Sequence, residues 1–170
     1  MIVRPVVAEH ESAHVIVAAA LGIGTWWADA RDHHPRTVLD ISRASPLDHA
    51  TAAAAGDAWE HLAGWRAGPC RGSDRAKISR LVPMHLVREV TARACQVLAG
   101  HGDQVLALAA ELARAGGVLD AVELQGWWDT QSHNGQIVHT GQGSITPGPQ
   151  SACACRSLMK SFSRTLRSVT

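Results

Sequence analysis

The chain has 170 residues, a formal net charge of +1, 46% hydrophobic residues and 18% charged residues. Such a length suits one ordinary domain, and such a balance excludes a wholly disordered chain. The charge is unevenly placed. Asp129 is the last acid, so the body to that point holds 12 bases and 15 acids, while Thr130 to Thr170 carries four cations and no acidic side chain. With only one of the two lysines, Lys77, in the body, no large footprint for nucleic acid is expected.

The longest apolar run, Val15 to Ile23, covers about half of the roughly 20 residues needed to cross a bilayer, so no transmembrane segment is expected. Met1-Ile2-Val3-Arg4-Pro5 lacks the charged-then-apolar order of a secretory signal. Cys70, Cys95, Cys153 and Cys155 form no C-x-x-C pair and no dense disulfide framework. Reduced thiols and a cytoplasmic location are the expectation.

In chain order, Val6, Val7, His10, Ala13, His14, Val17, Ala18 and Leu21 recur at spacings of three and four, which predicts a helix that Gly22 and Gly24 stop. Two histidines thus fall in an apolar stripe. Thr25 to Arg43 reads as loop with one β-prone run at Thr37-Val38-Leu39-Asp40-Ile41. Ser45-Pro46-Leu47-Asp48 predicts a helix start, with Ser as cap, Pro at the first position and Asp at the positive end, and the helix should run to about Ala67. Ser73 is expected to cap a further helix through Leu81, which Pro83 kinks or ends. Leu86, Val90, Ala94 and Val97 continue an apolar face to Gly100, and Asp103 is expected to cap the next helix, lined by Val105, Leu108, Ala109 and Leu112. A last short helix spans Asp120 to Trp128.

Residues 1–128 therefore read as a compact, mainly α domain with room for one short strand or hairpin. Residues 129–170 read as a flexible tail rich in Gly, Ser, Thr and Pro, whose apolar content is too low to offset the entropy of ordering. Leu158, Phe162 and Leu166, four apart among cations, outline a basic amphipathic end suited to weak contact with a membrane surface or a partner.

His10-Glu11-Ser12-Ala13-His14 fits H-E-x-x-H on the first helix. Residues four apart share a helical face, so two imidazoles can converge on one Zn2+ while Glu11 serves as general base for water attack on an amide. Burying two imidazoles merely as core would cost more than burying aliphatic side chains. A third ligand is required, and the pattern that places it six residues on fails, because Val17 and Ala20 stand where Gly and His belong. Glu60 and Asp74 are the candidates. Cys70, near Asp74, reads as a loop or core residue rather than a ligand, and the Trp26-Trp27 and Trp127-Trp128 pairs as core rather than a substrate groove.

The segment from Ala8 to Leu21 resembles the His-Glu-Ala-Gly-His helix of the FtsH-type zinc metallopeptidases, the M41 family. Ala55 to Gly64 resembles that family's Gly-Arg-Ala-Ala-Glu-Glu helix, and Gly72-Ser73-Asp74 resembles its Ala-Ser-Asn-Asp loop. The resemblance implies a zinc-metallopeptidase-like fold in which His10, His14 and Asp74 bind Zn2+ and Glu11 is catalytic. Ser12-Ala13 replaces the family's Ala-Gly, and the Asn before the ligand Asp is missing. No G-x-x-x-x-G-K-[ST] can be written around Lys77 or Lys160, so the family's ATPase is not represented. The function expected is zinc-dependent hydrolysis of peptides or unfolded protein, with a homo-oligomer or a separate ATPase as candidate partners. The rivals are a metal-bound module without catalysis and a helical interaction protein with an accidental motif.

Overall fold

The computed structural model describes residues 3–31, 35–65 and 71–133. The elements run α1 (Pro5–Ala20), β1 (Gly24–Asp29), β2 (Arg36–Asp40), α2 (Pro46–Ala53), α3 (Ala55–Leu62), α4 (Arg71–Leu81), a 3-10 turn (Met84–Leu86), α5 (Val87–Ala99), α6 (Gly102–Arg114), β3 (Val118–Asp120) and α7 (Ala121–His133). The architecture is mainly helical, as the periodicity requires, with a small antiparallel sheet in the order β2-β1-β3.

Helix α1 is the central element, packed against α6, α3, α2 and both strands of the first hairpin. Every residue from His10 to Ala18 is buried, the histidines included. The helix is enclosed along this stretch, so its polar side chains His10, Glu11, Ser12 and His14 lie inside the molecule rather than on a wet face. Pro5 at the helix start costs no hydrogen bond there, and Gly22, at φ 72°, turns the chain into β1.

Two strands appear where one run was expected. β1 pairs with β2 from Gly24↔Asp40 to Asp29↔Arg36, with a register shift between Thr25 and Trp27, and pairs on its other side with β3. Trp26 and Trp27 obscure β1 in the sequence because the shift breaks the simple alternation. Trp26 stands 57% exposed, so this pair is not core. Trp127 is buried and meets Trp128 edge-on at 4.8 Å.

Ser45 caps α2 as expected, its Oγ accepting from the Asp48 amide at 3.1 Å. The helix does not continue unbroken to Ala67, however. It bends at Ala54 and ends at Leu62. The residues from Ala50 to Ala55 are small and buried, and their short side chains let the bent α2–α3 pair approach α1 closely. α4 begins at Arg71, so Ser73 lies within its first turn rather than before it. α6 begins at Gly102 with no side-chain cap, placing Asp103 in its first turn. Asp120 caps α7 by accepting from the Val122 and Glu123 amides, both at 2.9 Å, and the helix runs to His133, five residues past the expected end. Among the described residues, no helix is long and apolar enough to cross a membrane. The tail from residue 134, including Cys153, Cys155 and the basic amphipathic end, and the stretch 66–70 with Cys70 lie outside the described residues.

Candidate metal centre

α1 presents His10 and His14 one turn apart, and the bent α2–α3 pair supplies what holds both rings. His14 Nδ1 lies 2.7 Å from the Ala52 carbonyl oxygen. A carbonyl can only accept, so Nδ1 carries the proton and Nε2 keeps its lone pair. His10 Nδ1 lies 3.0 Å from Glu60 Oε1 on α3, and the same logic turns its Nε2 inward. Both rings are thereby fixed in the orientation a metal ligand needs. Gly56 completes the support: the His10 ring lies against its backbone.

α4 brings the third donor. Asp74 Oδ2 lies 3.0 Å from His10 Nε2 and 3.3 Å from His14 Nε2, and the two Nε2 atoms are 3.2 Å apart. Three lone-pair atoms in a near-equilateral triangle repel one another unless a cation sits among them. Tetrahedral ligands about 2.0–2.1 Å from a metal stand about 3.3 Å from each other, since the edge of a tetrahedron is about 1.63 times its radius. The triangle therefore fits a metal ion, and His10, His14 and Asp74 could hold one. Glu60 is brought to the same histidine but on its far nitrogen, where it orients a ligand instead of joining the triangle.

The electrostatics carry the same imprint. Burial opposes a charge on His10, yet its hydrogen bonds to Asp74 and Glu60 push the imidazole up to about 9. Burial likewise opposes the charge on Asp74, but the two imidazoles and Lys77 hold its carboxyl far below the usual carboxylate range. Lys77 Nζ donates to the outer oxygen, Asp74 Oδ1, at 3.1 Å.

Glu11 is also buried. Burial raises its pKa, and the histidines and a hydrogen bond from Thr37 oppose that rise. The Thr37 hydroxyl donates to Glu11 Oε2 at 2.8 Å. Glu11, His14 and Asp74 open onto a cleft of about 310 Å3. One wall is β2 and the chain just before it, and the other carries His49, Ser73 and Lys77. Because β2 pairs only with β1, its outer edge has no strand neighbour among the described residues.

The sequence singled out His10, Glu11, His14, Asp74 and Glu60, and the fold brings all five together. It did not reveal Thr37, Gly56 or the Ala52 carbonyl. Thr37 lay inside the β-prone run and Gly56 inside the segment likened to a family helix, so each had a visible signal but no assigned role. Comparison with family models, with curated proteins and with solved structures finds no match to this chain.

Proposed function

We propose that this chain is a zinc-dependent peptidase of the kind its His-Glu-x-x-His helix resembles, acting on peptides or unfolded protein in a cytoplasm. The observation that carries the reading is the triangle of His10 Nε2, His14 Nε2 and Asp74 Oδ2, with Glu11 beside it on the same cleft. Two imidazoles and one carboxylate are a donor set that suits Zn2+ and leave a fourth position for substrate.

Zn2+ held by these residues would supply a Lewis acid that polarises a carbonyl and lowers the pKa of water to about 7. The chain's own part is to position and to move protons. Thr37 holds Glu11 Oε2, leaving Oε1 to take the proton of the attacking water and to pass it to the departing amine nitrogen. Burial favours that role, because a carboxylate with a raised pKa is a stronger base and takes the proton of water more readily at neutral pH.

The edge of β2 that has no strand neighbour among the described residues supports a peptide substrate. An extended chain can pair with an unpartnered strand edge through its backbone, and the edge lies along the cleft that Glu11 enters. Folded proteins cannot offer an extended strand there, and no nucleotide-binding loop is present in the sequence to unfold them.

The test is zinc analysis of untagged protein together with cleavage of an unfolded and a tightly folded protein, each with and without ATP. The expected result is about one zinc per chain, cleavage of the unfolded substrate alone, no response to ATP, and loss of activity on chelation. A folded protein that takes up no zinc would defeat the reading.

A further inference from the structure

We propose that His49 is a further catalytic residue of the cleft, its ring N–H donating to the carbonyl oxygen of the scissile amide as that oxygen takes on negative charge. The inference rests on the peptidase reading and adds a residue to its reaction.

His49 lies on α2 and lines the cleft together with Ala53, four residues on and therefore on the same helical face. The carbonyl oxygen of Ala52, on the same helix, holds His14 Nδ1 at 2.7 Å. About 4.5 Å of helix axis, three residues at roughly 1.5 Å each, separates the group that orients a metal ligand from the residue that carries this imidazole. The start of α2 is itself pinned, since Ser45 caps it and Asp48 pairs with Arg93 of α5 at 2.6 Å. His49 thus stands on a rigid element rather than a loop, as a group that must meet a reacting atom requires.

The side chain is half-buried, yet its ring makes no hydrogen bond among the described residues. Burial first, and then the charge of Lys77, lower its pKa, so at neutral pH the ring is neutral and carries one N–H and one lone pair.

The reaction calls for such a donor. When the oxygen of the attacking water bonds to the carbonyl carbon, its proton passes to Glu11 Oε1 and the C=O electron pair moves onto the carbonyl oxygen. An N–H aimed at that oxygen stabilises the growing charge, and His49 keeps its proton throughout. The other polar side chains of the cleft are committed. Ionised Glu11 and Asp74 can only accept. His14 spends its Nδ1 proton on Ala52, Thr37 spends its hydroxyl on Glu11, Lys77 is paired with Asp74, and Ser73 has an interaction of its own. Arg36 is next to Thr37 on β2, so it faces the opposite side of the sheet, where it stacks over Trp27. Among the described residues lining the cleft, His49 is the donor side chain whose N–H has no partner.

The experiment uses the full zinc-loaded chain, an unstructured fluorogenic peptide, and the same peptide with a phosphinic group in place of the scissile amide, whose tetrahedral phosphorus and anionic oxygen imitate the transition state. His49→Phe keeps a flat ring of similar size and removes the donor, whereas His49→Gln keeps an N–H. The expected result for His49→Phe is a kcat lower by about 100- to 1000-fold, with KM and zinc affinity unchanged. Binding of the phosphinic peptide, measured by calorimetry, should weaken by a similar factor, and His49→Gln should recover part of both losses. Binding of the intact amide peptide to zinc-loaded Glu11→Gln, read by anisotropy, should be the same with and without His49→Phe. His49→Leu, which also lacks a donor, carries the comparison if His49→Phe does not fold.

An undiminished kcat in the variants without a donor overturns the inference and leaves the peptidase reading standing. A loss carried wholly by zinc affinity or by KM does the same, and would make His49 a support of α2 or a ground-state contact. Absence of cleavage by the zinc-loaded wild type overturns the peptidase reading, and the inference falls with it.

Discussion

The backbone of Gly56 lies against the face of the His10 imidazole, so close that a Cβ at position 56 would stand 2.3 Å from both Cε1 and Nε2 of the ring. His10 cannot swing away, because Glu60 and Asp74 hold its two nitrogens at 3.0 Å. Gly56→Ala would improve intrinsic helix propensity by about 1 kcal/mol, yet overpacking of a fixed ring costs roughly 1–3 kcal/mol and displaces a ligand. The expected outcome is a folded protein with no gain in stability and a zinc affinity reduced at least about tenfold. Competition with a chromophoric chelator measures it, and unchanged affinity would mean that the ring does not need this cradle.

Asp74 and Glu60 should separate cleanly by metal affinity. Asp74→Ala removes a donor from the triangle and should empty the site at micromolar zinc. Glu60→Ala leaves the triangle intact but frees the far nitrogen of His10, so the expected loss is about 10–100-fold. Zinc content after equilibrium dialysis at graded free zinc checks the order, and Glu60→Ala losing as much as Asp74→Ala would make Glu60 a ligand in its own right.

Thr37→Val deletes the hydroxyl that donates to Glu11 while keeping a β-branched residue in β2. That hydrogen bond lowers the Glu11 pKa against the rise caused by burial, so its loss moves the pKa higher still. The acid limb of the kcat profile should shift to higher pH, with zinc content unchanged. A profile identical to wild type would remove Thr37 from the proton-transfer machinery.

Metal-free protein should lose stability as the pH rises. The folded-state pKa of His10, about 9, lies above its usual 6.5, so its protonated contacts with Asp74 and Glu60 stabilise fully below pH 6.5. That contribution declines above 6.5 and is gone once the pH has passed 9. Thermal melts of chelator-treated protein from pH 6 to 10 should show Tm falling across this window. The zinc-loaded protein, in which His10 carries no proton on Nε2, should lack that decline, and parallel curves for the two forms would contradict the account.

The sequence by itself determined the helical body, the face shared by His10 and His14, the cap at Ser45 and the two acids worth testing as a third ligand. These are readable because helical period, capping and motif spacing act over a few residues. The tertiary structure alone decided that α1 is enclosed from His10 to Ala18, that β1 exists behind its register shift, and that Asp74 completes the triangle while Glu60 turns to the far side of His10. It also decided the service of Ala52, Gly56 and Thr37, whose value lies in a carbonyl, a missing Cβ and a hydroxyl aimed at residues 26 to 46 positions away. Such roles leave no local pattern, because they depend on the close approach of the bent α2–α3 pair and the edge strand to one helix, and only the packing of the whole core sets that distance.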